Sequence, residues 1–248
     1  MKDKDPIAEF FDDRRADIEQ MGADEVMRAK SLDWMLHADK YKYTYNYTWM
    51  GRPIIKFPND MVIQQELMWQ LKPDLVIESG IAHGGSLIFT ASMMEMMGID
   101  GEVVGIDIDI RQHNRDAIET HPMVKRITMY EGNSVDAAMV ERVRQHTQGK
   151  RCVMVILDSL HSHDHVYQEL LAYAPMTTVG SYCILPDTFI EFFPKGYYSD
   201  TRPWDVGDNP YTAMQQYLGE TDLFEIDRAR TSKAMITETI DGYLRRVR

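Results

Sequence analysis

Five short apolar runs, at residues 74–78, 103–107, 127–130, 152–158 and 181–185, constrain this chain more than any other feature. Helical patterns separate them, at about 86–97, from about 113 to 119, and at about 135–146 and 166–173. Continuous apolar strands alternating with amphipathic helices predict an α/β domain: a mostly parallel sheet covered by helices on both faces. Each run ends in a polar residue, in order Glu78, Asp107, the Asn133–Ser134 pair, Asp158 and Asp187. In an open parallel sheet ligands bind beyond the carboxyl ends of the strands, so these side chains are expected around one crevice.

The first run leads into Glu78-Ser79-Gly80-Ile81-Ala82-His83-Gly84-Gly85-Ser86. This predicts a buried strand, a tight glycine turn and a helix whose first N–H groups are free to hold an anion. The glycines at 80, 84 and 85 do not make the dinucleotide pattern G-x-G-x-x-G, and no Gly-Lys-Ser/Thr follows to make a phosphate loop. An acid two residues before a glycine suits a ligand with an ammonium group or hydroxyls better than a pyrophosphate. S-adenosylmethionine is such a ligand. On this reading Glu78, Gly80, Gly84 and Ser86 form its loop, Asp107 accepts from the ribose hydroxyls, and Asn133 and Ser134 lie where adenine contacts fall.

The densest chemistry is Asp158-Ser159-Leu160-His161-Ser162-His163-Asp164-His165. Asp158 and Asp187, on neighbouring strands, offer oxygen ligands to a hard divalent cation. Such an ion lowers the pKa of a bound hydroxyl, and a neutral His161 beside it is placed to act as general base. His163 and His165 are expected to face solvent or to begin a helix capped by Asp164. A rival reading takes two of these histidines and a carboxylate as an iron site, chemistry that usually sits in a β-barrel. A third makes the chain a non-catalytic subunit that kept a cofactor fold.

The chain begins differently. Residues 6–40 carry two helical patterns broken at Gly22, and Tyr41, Tyr43, Tyr45, Tyr47 and Trp49 then alternate with polar residues like a strand. Residues 1–58 are therefore expected to form an N-terminal appendage of helices and an aromatic lid, and residues 59–248 the catalytic domain. Asn59 or Asp60 is expected to cap a helix over 61–71. The aperiodic stretch 189–212, rich in aromatics, is expected to be an ordered loop on the acceptor side. Residues 223–227 and 234–237 read as an antiparallel pair, and 243–248 as a basic, solvated end.

A net charge of −12 argues against nonspecific binding to nucleic acid or anionic membranes. The two cysteines, Cys152 and Cys183, lie in apolar runs and read as reduced, buried thiols. No apolar run reaches membrane-spanning length, and Met1–Asp5 show no signal-peptide core. A cytoplasmic protein is the expectation.

The loop Glu78–Ser86, the preceding Trp49-Met50-Gly51-Arg52-Pro53 and Asp158-x-x-His161 with Asp187 resemble the cephalosporin hydroxylase family, related to metal-dependent macrolide sugar O-methyltransferases. The resemblance covers roughly residues 30–240. It implies a Rossmann-like S-adenosylmethionine-dependent methyltransferase fold with an N-terminal helical appendage, and magnesium near the sulfonium. It further implies Asp158 and Asp187 as metal ligands, His161 as base, and a homo-oligomer acting on a hydroxylated small molecule such as a sugar or secondary metabolite. One position departs from the pattern. The family usually has two adjacent acids at the end of the fifth run, and Pro186 stands at the first of them. Glu191 or a water is expected to fill that place.

Overall fold

The computed structural model describes residues 5–248. Met1–Lys4, which carry most of the stretch read for a signal peptide, lie outside them. The helices are α1 (Pro6–Ala23), α2 (Glu25–Asp39), α3 (Pro58–Leu71), α4 (Gly85–Met96), α5 (Gln112–Glu119), α6 (Ala137–Arg144), α7 (His163–Tyr173), α8 (Pro210–Glu220) and α9 (Arg228–Ala234). The strands are β1 (Tyr47–Trp49), β2 (Arg52–Ile54), β3 (Leu75–Ser79), β4 (Glu102–Asp107), β5 (Ile127–Glu131), β6 (Val153–Leu157), β7 (Tyr182–Ile184), β8 (Phe224–Ile226) and β9 (Tyr243–Arg246).

β3 to β9 form one sheet in the order β5-β4-β3-β6-β7-β9-β8. The first five strands of that order are parallel, and β9 runs antiparallel to both its neighbours. Strand residues alternate between two separate cores. Val76, Met154 and Ile156 join Leu67, Leu87 and Ile88 from α3 and α4 on one face. Leu75, Ile77, Val153 and Val155 join Val143, Leu170 and Met214 from α6, α7 and α8 on the other. Burial on both faces explains why these strands read as unbroken apolar runs. Glu78 falls on the same face as Val76, so its carboxylate is carried toward α4.

Three expectations are corrected. Residues 234–237 do not pair with 223–227; β8 pairs with β9, the stretch read as a solvated tail. Tyr243 and Leu244 are buried there, but two apolar residues followed by arginines make no strand pattern. The tyrosine alternation yields only the short β1–β2 hairpin, because Tyr43–Asn46 form a 3-10 turn. Neither Asn59 nor Asp60 caps α3, which begins at Pro58, where the missing N–H costs nothing. Asp60 is buried inside the helix instead and accepts hydrogen bonds from Thr237 Oγ1, Glu238 N (2.9 Å) and Tyr243 OH (2.8 Å). That staple fixes the 237–243 segment beside the strand ends.

Of the methionines near the end of α4, Met93 and Met94 are buried in the core, while Met96 is exposed. Cys152 and Cys183 are both free thiols. Among the described residues no helix is long and apolar enough to cross a membrane.

Candidate active site

A cavity of about 870 Å³ opens at the carboxyl ends of β3, β4, β6 and β7. Of the residues singled out in the sequence, Glu78, Gly80, Ser86, Asp107, Asn133, Ser134, Asp158, His161 and Asp187 line it. Gly84 does not. It starts α4 with a left-handed backbone and packs against Ile118.

The glycine loop is built against close neighbours. Gly80 has φ +91°, and a Cβ there would lie 1.8 Å from the Asp158 carbonyl oxygen. A Cβ on Gly85 would lie 2.1 Å from the Pro53 carbonyl, so β2 packs directly on the start of α4. Arg52 completes the clamp, donating from Nε (3.0 Å) and Nη2 (2.7 Å) to the His83 carbonyl and from Nη2 to Asn114 Oδ1 (2.8 Å). The Trp49–Pro53 motif thus braces the glycine loop; Trp49 donates to Ser92 Oγ (2.9 Å) and packs edge-on against Phe89. Gly80→Ala is expected to destabilise the fold by more than about 2 kcal/mol, since both the positive φ and the backbone contact oppose a methyl group. Urea unfolding at equilibrium would measure this, and an unchanged midpoint would contradict the geometry.

Asp107 accepts from Ile81 N (2.8 Å) and Ala82 N (3.0 Å) at Oδ2, and from Asp109 N (3.1 Å) at Oδ1. Its first task is to hold the loop. Oδ1, with one backbone partner, keeps a free acceptor position.

Glu78 is the most informative side chain. It is fully buried, and neither carboxylate oxygen has a hydrogen-bond partner. Burial raises its pKa to about 7, against the pull of the Lys56 ammonium and of the neighbouring Ser86 hydroxyl. An unpartnered buried carboxylate is costly, and this one lines a cavity. Those are the conditions for receiving a cation.

Asp158, His161 and Asp187 present ligand atoms that all lie within 4.8 Å of one another. His161 Nε2 is 3.3 Å from Asp187 Oδ2. Its ring meets the Trp204 ring edge-on at 4.7 Å. Burial lowers the His161 pKa, outweighing the nearby Asp158 charge. Burial raises the Asp187 pKa, and the Asp158 charge raises it further. Asp187 also adopts a left-handed backbone (φ +58°), a conformation that aspartate tolerates better than most residues. The three-ligand group contains one histidine, so two histidines and a carboxylate do not converge as an iron site among the described residues.

Other expectations about this cluster change. Glu191 does not replace the acid missing at Pro186. Its Oε2 accepts from Gly207 N (2.8 Å) and Asn209 Nδ2 (2.6 Å), tying down the 205–209 turn. His163 opens α7, with its ring nitrogens 2.9 Å from Thr212 Oγ1 and 2.9 Å from Gln216 Oε1. His165 lines the cavity, with Nε2 3.2 Å from Ser134 Oγ and 3.1 Å from Ser159 Oγ. Both hydroxyls donate to the buried Glu169, at 2.6 and 2.8 Å.

Two residues escaped the sequence reading. Glu238 lines the cavity, and Lys56 lies buried behind it. Neither belongs to a local motif; only the Asp60 staple and the hairpin bring them to the strand ends. The roof combines Met35 of α2 with Phe57, Phe189, Ile190 and Phe193, ringed by Tyr43, Tyr198 and Trp204. Tyr197 OH donates to Asp39 Oδ2 (2.9 Å), which ties the 189–204 stretch to α2.

The family model Rhamnosyl O-methyltransferase/CmcI matches residues 41–247. The chain belongs to this family. The rhamnosyl O-methyltransferase of Mycobacterium leprae is 32% identical over 198 residues, covering 79% of this chain and 82% of that protein. The Mycobacterium bovis rhamnosyl O-methyltransferase is 30% identical over 206 residues, covering 79% and 77%. Among solved structures, ligand-free CmcI superposes with a TM-score of 0.59 at 23% identity, covering 82% of this chain and 77% of that one. CmcI with Mg and SAM gives 0.58 at 23%, covering 82% and 78%. The fold of this family member is the Rossmann-like methyltransferase fold.

Proposed function

We propose that this chain transfers a methyl group from S-adenosylmethionine to a hydroxyl of a sugar-bearing small molecule. The observation that carries the reading is that one cavity holds both an unpartnered buried carboxylate, Glu78, and the Asp158–His161–Asp187 group. Glu78 fits the cofactor's ammonium group, and the free position on Asp107 Oδ1 fits a ribose hydroxyl. Asn133 and Ser134 also line the cavity and fit contacts to an adenine ring. Two carboxylates with hard oxygen donors fit a magnesium ion, which Asp158 and Asp187 would hold.

S-adenosylmethionine supplies an activated methyl on a sulfonium, and a bound magnesium ion lowers the pKa of the acceptor hydroxyl. The protein's own residues do the rest. The aromatic roof and the wall near Trp204 orient the acceptor and exclude water, which converts transfer into an effectively unimolecular event. His161, kept neutral by its burial, takes the hydroxyl proton at Nε2. The rhamnosyl O-methyltransferase activity of the curated relatives supports a deoxysugar hydroxyl as acceptor. The exposed Ile7, Phe10 and Phe11 on α1, which buries no residue, support a homo-oligomer.

Incubation with methyl-labelled S-adenosylmethionine and a panel of rhamnosides, other glycosides and non-sugar phenols tests the reading. Label in a rhamnoside is the expected result. Label only in non-sugar acceptors would overturn the sugar assignment, and none anywhere, with cofactor bound, would overturn the catalytic one.

A further inference from the structure

Lys56 belongs to the extended stretch between β2 and α3 and is 3% exposed. Its Nζ donates to Glu238 Oε1 at 3.0 Å and to Asp158 Oδ2 at 3.2 Å. Both acids line the cavity. Burying an ammonium is costly unless it is paired, so these two carboxylates are what keep Lys56 in place. In return Lys56 fixes one oxygen of Asp158, a residue of the three-ligand group, and holds Glu238 beside it. Beyond the two carboxylates it contacts, the charges of Glu78, Asp60 and Asp187 also bear on Lys56 or its partners. The lysine sits behind the wall rather than in it, so it acts through these carboxylates.

We infer that Lys56 is a positioning residue that serves as the resident cation of the carboxylate group, competing with a divalent ion for Asp158 and Glu238. The ammonium offsets one carboxylate charge permanently. Together with Pro186, which contributes no donor, it sets the affinity of the site for a divalent ion well below what Asp158, Asp187 and Glu238 would have alone. The inference rests on the reading of Asp158 and Asp187 as the ion-binding pair.

The test is a titration of the full-length protein with Mn²⁺, with free ion followed by electron paramagnetic resonance. Lys56→Met is expected to bind Mn²⁺ about tenfold more tightly than the parent, because a unit charge close to the ion is removed. Lys56→Arg should stay near the parent value. A purely structural lysine would give the opposite: Lys56→Met would bind Mn²⁺ less tightly as the site loosens. Leaving Glu238 and Asp158 without their cation risks misfolding, so the substitution is also made in a Glu238→Gln background, where Lys56→Met/Glu238→Gln should bind Mn²⁺ more tightly than Glu238→Gln alone. Binding no tighter in Lys56→Met than in the parent, or no tighter in the double variant than in Glu238→Gln, with the parent binding Mn²⁺, overturns the inference alone. No Mn²⁺ binding by the parent or any variant overturns the ion-binding reading of Asp158 and Asp187, and the inference with it.

Discussion

Glu78→Gln is expected to weaken S-adenosylmethionine binding by on the order of 100-fold while making the ligand-free protein more stable at pH 8. The two effects share one cause. The carboxylate is buried without a hydrogen-bond partner, and its pKa stands at about 7 against a normal 4.5. The sign follows from linkage. Below pH 4.5 the group is protonated in both folded and unfolded chains and costs nothing. As pH rises toward about 7 the unfolded chain releases the proton first, so stability falls, and above about 7 the full penalty of roughly 3 kcal/mol applies. Glutamine removes that penalty and also removes the charge that would meet a cation. In a chain of this length the gain corresponds to a rise in Tm of several degrees. The same shift predicts that cofactor affinity of the parent increases from pH 5 to about 7 and then levels. Calorimetry across that range, with thermal melts of the ligand-free proteins, reads both effects. Unchanged affinity in the variant would remove Glu78 from the cofactor site.

The second large effect is expected at His161. Its replacement by alanine should lower kcat by about 10²- to 10⁴-fold, the usual contribution of a positioned general base, with little change in S-adenosylmethionine affinity. Burial lowers the pKa of the imidazole, so the neutral, proton-accepting form already dominates at pH 7. The parent's kcat should therefore rise with pH below 6.5 and be level above neutrality, and that rise should vanish in His161→Ala. Steady-state rates from pH 5 to 9 with a saturating acceptor decide the matter. A variant that keeps the parent's rate and profile would show that the acceptor loses its proton by another route.

Some of this was legible in the chain because local chemistry carried it. The strands β3, β4 and β6 are buried on both faces along most of their length, so each had to be largely apolar, whereas the edge strand β5 is only half-buried. Their polar ends, from Glu78 to Asp187, had to meet at one edge because parallel strands point the same way. The glycine at 80 announced a close approach, and the structure supplies the neighbour, the Asp158 carbonyl. Other features had no local signal. β9 is too short and too basic to show a strand period, and it is a strand because its neighbours β7 and β8 offer ladders on both sides. Glu191 and Glu238 are equally plausible acids in the sequence. Asn209 and Gly207 draw the first into a turn, and Asp60 fixes the backbone of the second at the cavity.

The sequence by itself determined the order of strands and helices from β3 to β7, the glycine loop and the line of polar strand ends, because burial, backbone freedom and parallel direction act over a few residues. Only the tertiary structure decided that Arg52 and Pro53 brace that loop, that Asp107 is largely committed to it, and that Lys56 lies beneath the carboxylates. Those are pairings between residues 25 to 182 positions apart. The gain from pairing a buried charge depends on which segments pack together, and no spacing along the chain records that.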